Sequence, residues 1–289
     1  MTRIAYLGPE GTNSHEALLA ATASDRERHE LRSMGTIHDC VGAVQEGRAE
    51  RAFVPIENAL EGSVNATLDA LAVETEDVAI VGEHVHAIHT CLIARDPLEL
   101  GAIETVHSHP QANAQCAHFL RTRLPQATVL AASSTAEAVR RVAEQDGASA
   151  ALGSRTAAEL YDCEVLCADV DDAAGNETRF VWLARRDDDV AAGAAPSRPV
   201  ARGPFKTAVV FWGVGAEAPG WLVGCLSEFA SRGVNLTRIE SRPRKQGLGR
   251  YMFFADLEGR ASEGAVAEAL EALRAHVEHL RVLGSFPAA

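Results

Sequence analysis

The sequence predicts an α/β protein in two parts: a larger amino-terminal part built around a largely parallel sheet, and a smaller carboxyl-terminal part with the βαββαβ order of a ferredoxin-like sandwich. Three observations carry this. Short apolar, β-rich runs alternate with helix-like segments before residue 187. The stretch DDDVAAGAAPSRPVARGP, 187–204, breaks every apolar periodicity and reads as a linker. After it, strands and helices follow in the ferredoxin-like order within about 80 residues. The domains are therefore expected at 1–186 and 205–289.

Taken in order, Ile4 to Leu7, Ala52 to Val54, Ile103 to His107 and Ala148 to Leu152 are the candidate strands of the first part. Each ends in small polar residues that open a helix: GPEGTNS, PIENALEGS, SHPQ and GSRT. Val64, Leu68 and Leu71 fall on one helical face, as do Ala117, Leu120 and Leu124, and Pro110 suits a first helical position. Ser134 and Glu137 have the spacing of a capping box. Such turns, at the carboxyl ends of strands, present helix amides to anionic ligands. Beyond the linker come a strand (Phe205 to Trp212), a helix (Pro219 to Ser231), a strand (Val234 to Ser241), a KQGLG turn and a strand (Tyr251 to Leu257). A helix (Ser262 to Ala275) and a strand (Leu280 to Leu283) close the chain.

The composition narrows the function classes. The 289 residues carry 40 Asp and Glu against 27 Lys and Arg, a formal charge of -13 that repels nucleic-acid phosphates and anionic membranes. No apolar run approaches the roughly 20 residues that span a bilayer, and MTRIAYLGPEG does not read as a signal peptide, so a cytoplasmic protein is expected. Six cysteines without a C-x-x-C pair read as buried thiols, not disulfides.

Six stretches then carry a resemblance over nearly the whole chain. GPEGTNSHEA (Gly8 to Ala17), VPIENALEGSV (Val54 to Val64), SHPQANAQC (Ser108 to Cys116), AALGSRTAAELY (Ala150 to Tyr161), NETRF (Asn176 to Phe180) and RGVNLTRIESRP (Arg232 to Pro243) resemble, in this order, prephenate dehydratase with a C-terminal ACT domain. The resemblance implies a catalytic domain of two lobes, built like a periplasmic binding protein, with the site in the cleft. It implies that prephenate loses water and carbon dioxide together to give phenylpyruvate, with no metal or organic cofactor. Such a site must hold a dianion and assist departure of hydroxide.

By the same resemblance Thr178 is the expected donor to the leaving hydroxyl, with Asn58 and Gln115 as substrate contacts. Arg179 is expected either to clamp a substrate carboxylate or to form a salt bridge between lobes. Thr12, Ser14, Ser108, Ser154 and Arg155 complete the substrate-binding candidates with Glu57, for which a structural role is favoured because an ionised acid beside a dianion is unfavourable. Asn13 stands where the family usually has an aromatic, and Ala59 where a hydroxyl residue is common; both leave room for arogenate as substrate.

The resemblance further implies a homodimer or homotetramer formed through the ACT domain, with L-phenylalanine as allosteric effector. Gly220, Trp221, Leu222 and Val223 at the first helix, Asn235 and Leu236, and Glu240, Ser241, Arg242 and Pro243 are the expected effector contacts. Trp221 replaces a small residue there, and so either fills part of the pocket or turns onto a partner subunit. Two rivals stand beside this reading: a metallohydrolase using His84, His86, His89, His107 and His109, and a non-catalytic amino-acid sensor. The histidines lack the i, i+4 spacing and flanking Glu of a zinc-hydrolase helix.

Overall fold

The computed structural model describes residues 1–186, 204–213, 215 and 218–289, so the expected linker at 187–204 lies outside the described residues except for Pro204. Three sheets organise the rest. The first contains β1 (Thr2–Leu7), β2 (His29–Met34), β3 (Arg51–Asn58), β4 (Gly62–Ser63), β5 (Val78–Ala87) and β11 (Glu177–Arg185). Its order is β2-β1-β3-β11-β5, with β4 paired to β3. The second contains β6 (Cys91–Ala94), β7 (Thr105–Ser108), β8 (Thr128–Ala131), β9 (Ser149–Gly153) and β10 (Glu164–Cys167), in the order β10-β6-β9-β7-β8.

The chain thus leaves the first lobe after β5 and returns to it as β11, giving the expected pair of lobes joined by two crossings. The sheets are mixed and not largely parallel. β1 pairs in parallel with β2 and β3, but β11 runs antiparallel to both β3 and β5. A strand that brings the chain back from the other lobe runs opposite to the strand that carried it out. In the second sheet β7 is parallel to β8 and β9, whereas β6 is antiparallel to β9 and β10.

Local signals act largely as the sequence suggests. Pro110 opens the helix Pro110–Gln115, and Ser134 caps Thr135–Glu144 by accepting the Glu137 amide at 3.0 Å. The capping box is only half formed, because the Glu137 carboxylate pairs with Arg140 and Arg141 instead of reaching back. Leu68, Leu71, Leu120 and Leu124 are buried. Of the six cysteines, all free, Cys163 and Cys167 are only half-buried.

The third sheet holds β12 (Phe205–Trp212), β13 (Leu236–Pro243), β14 (Tyr251–Glu258) and β15 (His279–Pro287), antiparallel in the order β13-β14-β12-β15. With helices Trp221–Ala230 and Gly264–Leu273 this is the ferredoxin-like arrangement. Strand alternation gives the sheet two apolar faces. Val209, Phe211, Ala255 and Leu257 meet the helices, while Ala208, Val210, Met252, Phe254, Leu283 and Phe286 join the core of the first lobe beside Leu71, Ile80 and Leu183. Gly284 permits that docking, since a Cβ there would sit 2.1 Å from the Ile80 carbonyl oxygen.

Candidate active site

The lobes enclose a cleft of about 280 Å³, lined among others by Ser14, Asn58, Thr90, His109, Gln115, Asn176, Thr178 and Phe180. Its organising element is the pairing of β11 with β3. Thr178 stands opposite Asn58 and Arg179 opposite Glu57, so alternation sends the first pair to the cleft and the second to the other face.

On the cleft side, Asn58 Nδ2 donates to Thr178 Oγ1 at 2.9 Å and to Asn176 Oδ1 at 2.8 Å. Asn58 Oδ1 accepts the amides of Leu60 and Glu61, each at 3.0 Å, which fixes the orientation of its amide. Gln115, from the second lobe, accepts from Asn176 Nδ2 at 3.4 Å and donates to Glu61 at 3.3 Å. Thr178 is buried. Its hydroxyl accepts from Asn58, and among the described residues no protein group takes its hydrogen, which leaves it as a donor to a cleft ligand.

An outer continuation of about 540 Å³ is lined by Thr12, Asn13 and Ser14 from one lobe and Ser133, Ser134 and Thr135 from the other. These residues begin the helices Asn13–Ala21 and Thr135–Glu144, whose N-termini therefore face the cleft from opposite sides. Thr12 caps the first by accepting the His15 amide at 3.4 Å. Paired helix N-termini favour a ligand with two anionic groups.

Several expected residues are elsewhere. Arg179 clamps no ligand in the cleft: on the opposite face of β11, its guanidinium meets Glu83 at 2.7 Å, Asp256 at 2.6 Å and Glu57 at 3.3 Å. Glu57 accordingly turns away from the cleft. Ser108 is buried, donates to the His109 carbonyl at 3.0 Å and lies outside the lining. Ser154 caps Arg155–Leu160 and donates to the Gly11 carbonyl at 2.9 Å, a bond between lobes. Arg155 is exposed and also outside the lining.

Sequence reasoning passed over Asn176 and counted His109 only as a possible metal ligand. His109 is the sole ionisable side chain among the described lining residues of the inner cleft. Its Nδ1 accepts the Gln111 amide at 3.3 Å, so the neutral ring carries its hydrogen on Nε2. The signal available in advance was its place just before Pro110. The other histidines are dispersed: His84 stacks on His86 at 6.0 Å, His89 pairs with Asp169 at 2.7 Å, and His107 is buried.

Among the described residues, the expected effector contacts are spread over both faces of the ACT sheet. Gly220 caps the helix Trp221–Ala230 with φ 85°, and Val223 is exposed. Trp221 turns inward against Phe211 and Phe253 and donates to the His276 carbonyl at 2.9 Å. Along the edge strand β13, Glu240 accepts from Ser63 at 3.0 Å and Arg242 pairs with Asp69 at 3.0 Å, both toward the first lobe. Asn235, Ser241 and Pro243 are exposed, and Leu236 packs on the helix-side core.

The sequence profile described as prephenate dehydratase matches residues 4–188, and that described as ACT domain matches 219–275. The prephenate dehydratase of Amycolatopsis methanolica is 42% identical over 287 residues, covering 99% of this chain and 88% of the relative. A solved prephenate dehydratase from Arthrobacter aurescens, in complex with L-Phe, superposes with TM-score 0.85 at 36% identity, covering 99% of this chain and 90% of that one. A solved structure described as GqqA, a novel type of quorum quenching acylase, gives TM-score 0.82 at 30% identity, covering 99% and 98%.

Proposed function

The chain belongs to the prephenate dehydratase family, and from that premise we propose that its interlobe cleft carries out the loss of water and carbon dioxide from prephenate that yields phenylpyruvate, with Thr178 donating to the departing hydroxyl. As a member of this family the chain is a carbon–oxygen lyase acting in L-phenylalanine biosynthesis. The observation that supports the site assignment is the Asn58–Thr178 hydrogen bond, in which the threonine is the acceptor and keeps its own hydrogen to donate to a ligand.

The chemistry follows from what surrounds that hydroxyl. The two substrate carboxylates are held by the opposed helix N-termini and not by an arginine fork. As the C–C bond to the ring carboxylate breaks, carbon dioxide leaves and the ring becomes aromatic, while the opposite C–O bond releases hydroxide. A threonine hydroxyl and the Nε2–H of a neutral imidazole are both too weak as acids to surrender a proton permanently, so Thr178 and His109 hydrogen-bond to the departing hydroxide, which takes its proton from solvent water. No carboxylate side chain is present among the described lining residues of the inner cleft, which favours prephenate over arogenate, whose ammonium would lack a counter-charge there.

The remaining assignments extend the same reading. Residues 1–186 form the catalytic domain and 205–289 the ACT regulatory domain, with L-phenylalanine as the effector, as the likeness to an L-Phe complex suggests. Edge strand β13, with Ile239, Ser241 and Pro243 exposed, suits pairing with a second copy in a homodimer or homotetramer. No helix among the described residues is long and apolar enough to cross a membrane, and we assign the protein to the cytoplasm.

The test is direct: purified protein is mixed with prephenate or arogenate and the aromatic products are followed by absorbance. Phenylpyruvate from prephenate, lost in Thr178→Val, is expected. Turnover of neither substrate would leave the cleft as a binding site only.

A further inference from the structure

A second cavity, of about 220 Å³, lies between the first lobe and the ACT sheet, apart from the cleft and on the side of the sheet away from Trp221. Its wall is aromatic. The Trp212 indole stacks on His279 with ring centroids 3.9 Å apart, and the Arg244 guanidinium carbon lies 5.1 Å from the Trp212 ring. Met252 and Ala72, both buried, add an apolar surface, one from the sheet and one from the lobe.

Arg281 supplies the polar group. Its Nη1 donates to the Thr75 carbonyl at 2.7 Å, which anchors the guanidinium against the first lobe. Its Nε and Nη2 are buried and have no protein partner among the described residues. These two nitrogens share one edge of the guanidinium, the edge that grips a carboxylate with two parallel hydrogen bonds. Burial and the nearby Arg186 both lower the Arg281 pKa from its ordinary value, and Glu76 opposes them. A half-buried cation whose fork nitrogens lack a protein partner among the described residues, beside an aromatic wall, is the chemistry of a carboxylate site.

We propose that this cavity binds a small carboxylate bearing one planar apolar ring, with the carboxylate in the Arg281 fork and the ring against Trp212 and Met252. The volume falls below the roughly 300 Å³ at which pockets for drug-sized ligands begin, and so suits a single ring with a short side chain. Glu76 is the lone acid of the lining. It faces an ammonium when the ligand is an aromatic amino acid and contributes nothing when the ligand is the corresponding 2-keto acid. Because the lining comes from both bodies, a bound ligand fastens the ACT sheet to the first lobe.

Calorimetric titration of the full chain with phenylpyruvate and with L-phenylalanine tests this, using Arg281→Lys, Trp212→Leu, Glu76→Gln, Asn58→Ala and Trp221→Ala, each shown by its melting curve to be folded at the titration temperature. The expected result is a saturable event that Arg281→Lys and Trp212→Leu each weaken about tenfold or more, and that Asn58→Ala and Trp221→Ala leave intact. Should Arg281→Lys fail to fold, Trp212→Leu carries the comparison. Weakening of phenylalanine alone by Glu76→Gln identifies the amino acid as the source, and no effect on either probe identifies the keto acid. Wild-type-like binding by both junction variants would overturn the proposal. So would finding only events that Asn58→Ala or Trp221→Ala abolish, which would assign the ligand to the cleft or to the effector site.

Discussion

Arg179 Nη1 stands 2.6 Å from the Asp256 carboxylate, and this contact ties the strand that carries Thr178 to the ACT sheet. Glu83 and Asp256 are both fully buried, and Lys206 and Arg238 add a second cation to each. Removing Arg179 leaves these acids with half their compensation. Arg179→Met is expected to lower unfolding stability by about 3 to 5 kcal/mol, as for broken buried pairs, measured by urea denaturation. Arg179→Lys should lose less, because the charge remains without the fork. A raised KM with an unchanged melting curve in Arg179→Lys would instead mean that the side chain reaches substrate.

Acid should loosen the same junction. Burial by itself would raise the Asp256 pKa, but the Arg238 and Arg179 guanidiniums outweigh it and hold the carboxyl below its ordinary value. Asp69 is held down in the same way by Arg242 and Lys245. A folded-state pKa below the unfolded one stabilises at neutral pH and is lost as pH falls through about 4 and below. The melting temperature should therefore fall in that range, and Asp256→Asn, less stable at pH 7, should fall less steeply. Parallel curves for the two proteins would remove Asp256 from the account.

Thr178→Val should fold like wild type and lose about 100 to 1,000-fold in turnover, the usual worth of one donor aimed at developing charge. Thr178→Ser should retain much of the activity. Single-turnover rates with prephenate decide it, and near wild-type turnover in the valine variant would move the donor to another group.

Gly284→Ala should unseat the ACT sheet, because the new Cβ would meet the Ile80 carbonyl oxygen at 2.1 Å. Increased hydrogen exchange in β5 and β15, with the helices Trp221–Ala230 and Gly264–Leu273 still protected, is the expected signature. Unchanged exchange would show that the backbone relaxes at little cost.

Trp221→Ala is expected to cost about 3 to 5 kcal/mol of ACT-domain stability, since the indole packs on Phe211 and Phe253 and holds the His276 carbonyl. Phenylalanine inhibition should strengthen in the same variant if the indole also occupies effector space. Inhibition curves alongside melting curves separate the two effects.

Motif order, strand-to-helix turns and the βαββαβ pattern made the family, the α/β class and the ferredoxin-like sandwich legible from the sequence, because these are local or nearly local properties. Thr178 and Asn58 could be singled out in advance; the bond between them, across 120 residues of chain, could not. Two facts were decided only by tertiary structure. The first is direction: β11 returns from the second lobe antiparallel to its neighbours, which makes the sheet mixed. The second is facing. A period of two residues says that Thr178 and Arg179 point opposite ways, but only the docked ACT sheet, with Asp256 buried beneath it, determines that Arg179 meets a protein carboxylate.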